Sequence, residues 1–168
     1  MTLEHALLTN SLYELQAWCT SIIAKMDNGT IIHSRNLDFG DSDQMRKMTH
    51  VAKFVKGGKE QFESVMFAGN VGIYTAIRKG AYSISQNERH PNTQEIGLIE
   101  NLIMLFSGFD EISWLIRSCL EKCDTYDCAR NHLENGKINA LGYIILAGTQ
   151  GDEGVVISRN RLNTAHVD

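Results

Sequence analysis

The chain has 168 residues, a hydrophobic fraction of 43% and a formal net charge of -4. This length predicts about one domain, and the negative charge, without a basic stripe, argues against nucleic acid as a partner. No apolar run approaches the ~20 residues that a membrane-spanning helix needs. Residues 1–18 contain acidic side chains and no basic leader. They do not have the pattern of a signal peptide, and we expect no other targeting segment in this chain. The spacing of their leucines predicts a short amphipathic helix.

A β-hairpin is predicted next, from the stretch WCTSIIAKMDNGTIIHSRNLDFG at 18–40. Asn-Gly between two strand-like runs favours a hairpin, because both residues tolerate a positive φ. If Asn28–Gly29 is a two-residue loop, Cys19 lies directly opposite Asp38, with Cβ atoms ~4.5–5.5 Å apart. Strict alternation then turns Arg35 to the other face of the hairpin. Arg35 would join the pair only if the second strand bends or bulges.

The rest of the chain predicts more hairpins and then helices. Two further pairs of strands are separated by turns at 57–59 and 78–80. The apolar period then changes from two residues to 3.6, which predicts helices and then two final strands. The helices are expected at 92–106, at 110–123 with Asp110 as N-cap, and at 124–136 with a stop at Asn135–Gly136; the strands are expected at 140–149 and 154–161. This order predicts an α+β fold with helices on antiparallel sheet. The last eight residues, RLNTAHVD, show no finishing element, so we expect the chain to be incomplete there.

The chain has four cysteines: Cys19, Cys119, Cys123 and Cys128. The spacing of the last three matches no zinc pattern. Cys119 and Cys123 are one helical turn apart on an apolar stripe, which favours two small buried side chains. A disulfide or a metal site stays open as an alternative. An unrelated hypothesis is a cytosolic thiol protein in which these two cysteines form a redox pair.

Cys19 is the candidate nucleophile. A cysteine attacks only as thiolate and needs a base or a cation nearby. The hairpin places no histidine beside it, since His33 lies five residues before Asp38; a Cys–His dyad formed by the fold stays open. Cleavage before Cys19 would supply another base, because the new α-amino group has a reference pKa of about 7.7–8.0. Asp38 would then hold the resulting ammonium.

These residues resemble a known family. Cys-Thr-Ser-Ile at 19–22 followed by Arg35-Asn36-Leu37-Asp38 resembles the start of the large subunit in the acid ceramidase and N-acylethanolamine acid amidase family of N-terminal-nucleophile hydrolases. The similarity continues, in the same order, at FAGNVGIYTA (67–76), SQNERH (85–90), SWLIRSCLE (113–121) and YIILAGTQGDEGVVISRNR (143–161). The resemblance implies an αββα sandwich of antiparallel sheets with helices, incomplete at both ends. Residues 1–18 would end the small-subunit segment, and residues 19–168 would form the truncated hydrolase domain.

The resemblance also implies roles for individual residues. Self-cleavage of the Trp18–Cys19 bond would free Cys19 as nucleophile, and Asp38 would bind the new amino group. Arg35 would pair with Asp38 and support charge at the site. Glu88 would take part in self-processing, and Asn87 is a further substrate-binding candidate.

The implied substrate is a fatty-acyl amide, either an N-acylethanolamine or ceramide, and no cofactor is expected. The resemblance implies a lysosomal enzyme, a heterodimer of the two cleavage fragments, and peripheral membrane contact. The family's Thr-Asn-Tyr-Asp segment, whose Asn serves the oxyanion hole, is not found in this chain. A truncated, non-catalytic homologue that binds lipid or a partner protein is therefore the alternative.

Simpler structural roles are open for the same residues. Arg35–Asp38 could be an exposed ion pair at a strand end, worth only ~0–1 kcal/mol. Glu88 beside Arg89 could be a solvated turn pair. The apolar residues Phe67, Val71, Ile73 and Tyr74 could line an acyl-chain site, but they are better explained as core strand residues.

Overall fold

The computed structural model describes residues 18–38, 42–89, 103 and 107–168. The predicted helix at 92–106 and the predicted helix at the start of the chain lie outside these residues, apart from Ile103 and Trp18. Nine strands are seen in the described part: β1 Trp18–Lys25, β2 Ile31–Asp38, β3 Thr49–Lys56, β4 Lys59–Phe67, β5 Thr75–Arg78, β6 Tyr82–Glu88, β7 Gly142–Ala147, β8 Gly154–Arg159 and β9 Thr164–Val167. The helices of the same part are α1 Ser42–Met48, α2 Ile112–Lys122 and α3 Tyr126–Asn135.

The strands form two antiparallel sheets. β3 to β9 make a seven-stranded sheet in sequence order, and β1 and β2 make a separate two-stranded sheet. The hairpin of β1 and β2 packs on β6 and β7, and α2 and α3 also contact the large sheet. This arrangement confirms the predicted α+β class of helices on antiparallel sheet.

The main core lies between the helices and one face of the large sheet. β6 and β7 supply side chains at every second position, including Ile84, Ile144 and Leu146, which are fully buried. The helices meet them with Ile116 and Leu133, also fully buried. Each such side chain stabilises the fold by about 1.5–3 kcal/mol relative to full exposure. Because strand residues alternate, the odd-numbered positions of β6 are left to face the hairpin.

The register of the β1–β2 hairpin differs from the prediction by one residue. Met26 N donates to Thr30 O at 2.8 Å, and Gly29 N donates to Met26 O at 2.9 Å. The loop therefore has three residues, Asp27 to Gly29, and only Gly29 takes a positive φ, of 84°. This is a type I turn closed by a bulge glycine and not a two-residue turn. Cys19 consequently pairs with Leu37, and Trp18 pairs with Asp38.

Slipping the register by one residue reverses the faces of paired side chains. The prediction that Cys19 lies opposite Asp38, with Arg35 turned away, is therefore wrong. Ser21 pairs with Arg35, and Cys19, Ser21 and Arg35 all belong to the half-buried, inner set of the hairpin. Asp38 belongs to the exposed, outer set. Arg35 joins Cys19 without any bend in β2.

The other elements follow the prediction with three corrections. The turn at Gly57–Gly58 and the stop of α3 at Gly136 are confirmed. However, Glu111 and not Asp110 is the N-cap of α2. Cys123 forms a disulfide with Cys128, while Cys119 is free and buried, so the hypothesis of a Cys119–Cys123 redox pair is wrong. The last residues add β9, paired with β8, where no element was expected.

Within the described residues, no helix is both long and apolar enough to cross a membrane.

Candidate active site

Cys19 lies on the inner face of the hairpin near the start of β1. Its side chain is half-buried and packs with Leu37, Phe67 and the buried ring of Tyr74 in a small cluster separate from the main core. Leu37 is its partner across the hairpin, so strand pairing creates part of this cluster directly. The sulfur is thus placed in a largely apolar, partly accessible environment.

Arg35 is the charged group next to this sulfur. Its Nη2 donates to Cys19 Sγ at 3.3 Å. Nη2 also donates to the backbone oxygen of Gln86, and Nη1 donates to Thr75 Oγ1. Thr75 belongs to β5 and Gln86 to β6, so the large sheet holds the guanidinium in place against the inner face of the hairpin. A guanidinium held in this way stabilises negative charge on a neighbouring sulfur.

Asp38 lies near the same end of the hairpin, but its side chain points to the other face. It is exposed, and Asn36 Nδ2 donates to both of its carboxylate oxygens, at 3.1 and 3.0 Å. Asp38 and Arg35 are three residues apart in a regular strand, which turns them to opposite faces. The predicted Arg35–Asp38 pairing is therefore wrong in this structure. The backbone of Asp38 nevertheless lies across from Trp18, the residue before Cys19.

Asn87 and Glu88 are neighbours on β6 and point in different directions. Asn87 faces the hairpin, where its side-chain amide is hydrogen-bonded to Ser21 Oγ at 2.8 Å. Glu88, the next residue of the strand, turns by alternation to the face that carries the helices. Arg89 donates to Asn160 Oδ1 at 3.2 Å and lies over the ring of Tyr143. The sheet thus brings Asn87 to the hairpin and places Glu88 on the opposite face.

Several neighbours of the predicted candidate Asn87 were not predicted from the sequence. Ser83 and Ser85 precede it at every second position of β6, and together the three residues present a polar face to the hairpin. His33 inserts between the first two, with Nδ1 2.8 Å from Ser83 Oγ and Nε2 2.8 Å from Ser85 Oγ. The alternation of polar residues in YSISQNE was visible in the sequence, but which strand covers it was not.

Burial and the neighbouring Arg35 both lower the pKa of His33 below its usual value of 6.5. Burial acts first, because it disfavours the charged imidazolium, and the positive guanidinium adds to the effect. The lowered pKa favours the neutral form of the His33 imidazole in the fold.

A cleft of about 530 Å³ opens beside His33 and Arg35. The part of the large sheet that the hairpin leaves uncovered contributes Val51, Val65 and Ile77 to its lining, and all three are exposed. Of the apolar residues considered for an acyl-chain site, Ile73 and Tyr74 are buried, whereas Val71 is 40% exposed. Phe67 lines a second cleft, of about 470 Å³, on the other side of Arg35.

The described residues contain no group of three or more histidine, cysteine or acidic side chains that could hold a metal ion.

Comparison with known proteins gives a consistent result. The chain is 37% identical to the N-acylethanolamine-hydrolyzing acid amidase of Rattus norvegicus, over 99% of this chain and 45% of that protein. It is 35% identical to the acid ceramidase of Homo sapiens, over 94% of this chain and 43% of that protein. No family model matches. The chain spans a little under half the length of these relatives.

A solved structure supports the same relationship. The Caenorhabditis elegans orthologue of N-acylethanolamine-hydrolyzing acid amidase superposes with a TM-score of 0.80 at 35% identity, over 88% of this chain and 62% of that one. This match confirms the predicted N-terminal-nucleophile hydrolase fold.

Proposed function

We propose that this chain, which belongs to the family of N-acylethanolamine-hydrolyzing acid amidases and acid ceramidases, carries the nucleophile of a cysteine amidohydrolase that acts on fatty-acyl amides. The observation that supports this most strongly is the contact of Arg35 Nη2 with Cys19 Sγ at 3.3 Å. A thiol near the start of a strand, next to a fixed cation, is what nucleophilic attack by sulfur requires. The similarity to the amidases and ceramidases does not favour the alternative of a non-catalytic binding protein.

The first step is self-cleavage of the Trp18–Cys19 bond, which divides the chain into residues 1–18 and 19–168. The new α-amino group of Cys19, with a reference pKa of about 7.7–8.0, accepts the thiol proton. The thiolate attacks the amide carbonyl, and the carbonyl oxygen becomes an oxyanion. Collapse of this intermediate releases the amine, which takes a proton from the α-ammonium group, and leaves a thioester on Cys19. Water then hydrolyses the thioester to the fatty acid and restores the thiol.

Arg35 stabilises the negative charge that passes between sulfur and oxygen in these steps. Its contacts with Thr75 and Gln86 hold the guanidinium in place before the reaction, so that little reorganisation is needed in the transition state. Asp38 binds the new ammonium group of Cys19. It is suited to this because it lies across the ladder from Trp18, at the end of the hairpin where that group forms.

Glu88 acts indirectly in this proposal, because alternation places its side chain on the far face of β6. Its part in self-processing is to support the strand that carries Gln86 and Asn87. Asn87 is on the correct face to contribute to the pocket. Peripheral membrane contact remains a prediction, and so does a heterodimer of the two fragments in an acidic compartment such as the lysosome.

The test of self-cleavage is intact-mass analysis after incubation at mildly acidic pH. We expect a fragment that begins with Cys19, and we expect none from the Cys19→Ala variant. Cys119→Ala is the matched control, because Cys119 lies on the buried face of α2, in the main core and away from the hairpin. Cleavage in Cys19→Ala, or an uncleaved wild-type chain, would contradict the proposal.

The substrate class is tested with the complete gene product, since this chain spans less than half of its relatives. N-acylethanolamines and ceramides are offered separately, and release of the free fatty acid is measured. Hydrolysis of neither by a protein whose Trp18–Cys19 bond is cleaved would contradict the amidase assignment.

A further inference from the structure

The loop of the β1–β2 hairpin carries a sequence motif that the proposed chemistry does not use. Asn28-Gly29-Thr30 has the form Asn-X-Ser/Thr with X other than proline, and it is the only such triplet in the 168 residues. In secretory compartments this triplet is the acceptor for N-linked glycans. It is modified only where the fold leaves it accessible and where the chain passes through such a compartment.

The fold leaves the triplet open to solvent. The side chains of Asn28 and Thr30 are both exposed, and the space in which a side chain at Gly29 would lie is empty. An N-linked glycan is bulky and polar and needs a surface position of this kind. The tip of the hairpin therefore has room for a glycan without any change in the surrounding packing.

The hydrogen bonds of the loop leave the acceptor atom available. Asn28 Oδ1 accepts from Thr30 N at 3.0 Å, which is the usual way in which asparagine stabilises a turn. The hairpin itself is closed by backbone bonds between Met26 and Thr30 and between Gly29 and Met26. Nδ2 of Asn28, the atom that an N-linked glycan modifies, takes no part in these bonds. Attachment of a sugar there leaves the loop as it is.

The disulfide between Cys123 and Cys128 indicates the compartment, and it is independent of the loop. It joins the end of α2 to the first turn of α3, across Cα atoms that are 5.4 Å apart, a usual separation for such a bond. Disulfides form and persist in oxidising environments such as the lumen of the endoplasmic reticulum, and they are rare in cytosolic proteins. A chain that forms this bond is therefore expected to meet the enzymes that add N-linked glycans.

We infer that Asn28 is a site of N-linked glycosylation. In the transfer, Nδ2 forms a bond to C1 of the first sugar, and the bond from C1 to the pyrophosphate of a lipid-linked oligosaccharide breaks. One amide proton leaves to a base of the transferase, and the lipid pyrophosphate is released.

The glycan would stand at the end of the hairpin that is remote from the candidate nucleophile. The part of β1 from Cys19 to Lys25 spans roughly 20 Å at the usual rise of a strand. A glycan on Asn28 thus leaves the candidate active site open. The inference rests on the loop and the disulfide and does not require the proposed function.

The experiment is peptide mass spectrometry of the complete gene product after secretion from cultured mammalian cells. Trypsin cuts after Lys25 and Arg35, so peptide 26–35 contains Asn28 and no other asparagine. We expect most copies of this peptide to carry a hexosamine-containing glycan. Peptide N-glycosidase should remove the glycan and convert Asn28 to aspartate. A sample without the glycosidase gives the background, because Asn-Gly also deamidates spontaneously.

Two substitutions of Thr30 make a matched pair. Thr30→Ala removes the hydroxyl that the motif requires, but it keeps the backbone bond to Asn28 Oδ1 and therefore the loop. We expect the glycan to be lost completely in Thr30→Ala. Thr30→Ser retains the motif and should remain glycosylated. A glycan that persists on peptide 26–35 in Thr30→Ala would contradict N-linked modification at this site.

The same digest contains an internal control for the compartment. Peptide 123–130 holds both Cys123 and Cys128, so its mass and its resistance to alkylation show whether the disulfide has formed. A wild-type peptide 26–35 without glycan, in molecules that carry the disulfide, would show that the loop is not modified, and the inference would be wrong. Reduced cysteines together with an unmodified loop would overturn it as well, because the chain would not enter that compartment.

The outcome can be separated from that of the proposed function. Cleavage of the Trp18–Cys19 bond is measured by intact mass on the same preparations. A glycosylated chain that is never cleaved would contradict the amidohydrolase and support the glycosylation site. A cleaved chain without glycan would do the reverse.

Discussion

Arg35 donates hydrogen bonds to groups from three strands: Cys19 Sγ on β1, Thr75 Oγ1 on β5 and Gln86 O on β6. Its guanidinium therefore links the hairpin to the large sheet and also places a charge at the sulfur. Hydrogen bonds to charged groups contribute about 1.5–3 kcal/mol each. The position demands the planar fork of arginine, which lysine does not provide.

We expect Arg35→Lys to lower the rate of self-cleavage by about 10²-fold, comparable to the loss of one oxyanion donor. Lysine retains the charge but cannot reach all three acceptors at once. The measurement is the rate constant for appearance of the fragment that begins with Cys19. Arg46→Lys, at an exposed position on α1, is the control. A wild-type rate in Arg35→Lys would show that charge alone is sufficient.

The two free cysteines should differ in reactivity. Cys19 is half-exposed, whereas Cys119 lies on the buried face of α2, and burial raises the pKa of Cys119 to about 12. At pH 7 we expect iodoacetamide to modify Cys19 and to leave Cys119 unmodified in the native protein, because the thiolate is the reacting species. Peptide mass spectrometry before and after unfolding in urea measures this. Labelling of Cys119 first would contradict the packing of α2.

Among the elements, the hairpin loop determines which residues face the sheet. Gly29 has a φ of +84°, with open space around its Cα, so the cost of a side chain there is one of backbone conformation. We expect Gly29→Ala to lower the free energy of unfolding by roughly 1–2 kcal/mol. Gly29→Asn should cost less, because asparagine tolerates the left-handed region. Urea unfolding of both variants tests this, and equal losses would contradict it.

Helix α2 contributes to stability through one buried stripe. Ile116 on α2 is fully buried, whereas Ile77 on β5 is 45% exposed. We expect Ile116→Ala to lower the free energy of unfolding by about 2–5 kcal/mol and Ile77→Ala to lower it by less than about 1 kcal/mol. Comparable losses in urea unfolding would show that α2 is not part of the main core.

The hairpin also shows how far the sequence can be interpreted at this scale. Its existence followed from Asn28–Gly29, because that dipeptide is favourable in a turn. The register of the hairpin could not be predicted in the same way, because the same residues can form a two-residue or a three-residue loop. A two-residue type I′ loop needs a positive φ at Asn28, which the structure does not have. The length of the loop decides whether Asp38 or Arg35 shares a face with Cys19.

At the scale of the whole molecule, a charge network on β3, β4 and the turn after β5 affects the dependence of stability on pH. Lys79 and Lys53 lower the pKa of Glu63 from 4.5 to about 2. A carboxylate with a depressed pKa in the fold contributes stability that is fully present above its unfolded pKa and is lost as the pH falls through the folded value. The contribution of Glu63 should therefore persist down to about pH 4.5 and decline only in stronger acid.

We expect the wild type to exceed Glu63→Gln in unfolding free energy by a constant amount between pH 7 and pH 5, and by less at pH 3. Urea unfolding at these three pH values measures the difference. A difference that vanished already at pH 5 would contradict the lowered pKa of Glu63.

The α+β fold class was predictable, because segments in which apolar residues recur every two residues and segments in which they recur every 3.6 residues occupy separate parts of the chain. The packing of β1 on β6 could not be predicted, because neither segment carries a local signal for a contact with a strand more than 60 residues away. His33 and Ser85 were therefore missed, although both were visible as polar positions on alternating strands. The sequence left a disulfide open but did not identify its pair, because Cys123 and Cys128 meet only where the chain turns between α2 and α3.

The ladder between β1 and β2 has eight rungs, from Trp18–Asp38 to Lys25–Ile31, and the bond before Cys19 lies between the first two. Severing it would detach only the outermost rung and leave the other seven in place. The new amino terminus at Cys19 would lie at the end of a strand pair that is already formed, with the Arg35 guanidinium beside the sulfur. A cut at this bond therefore requires no change in the pairing of β1 with β2 from Cys19 onward.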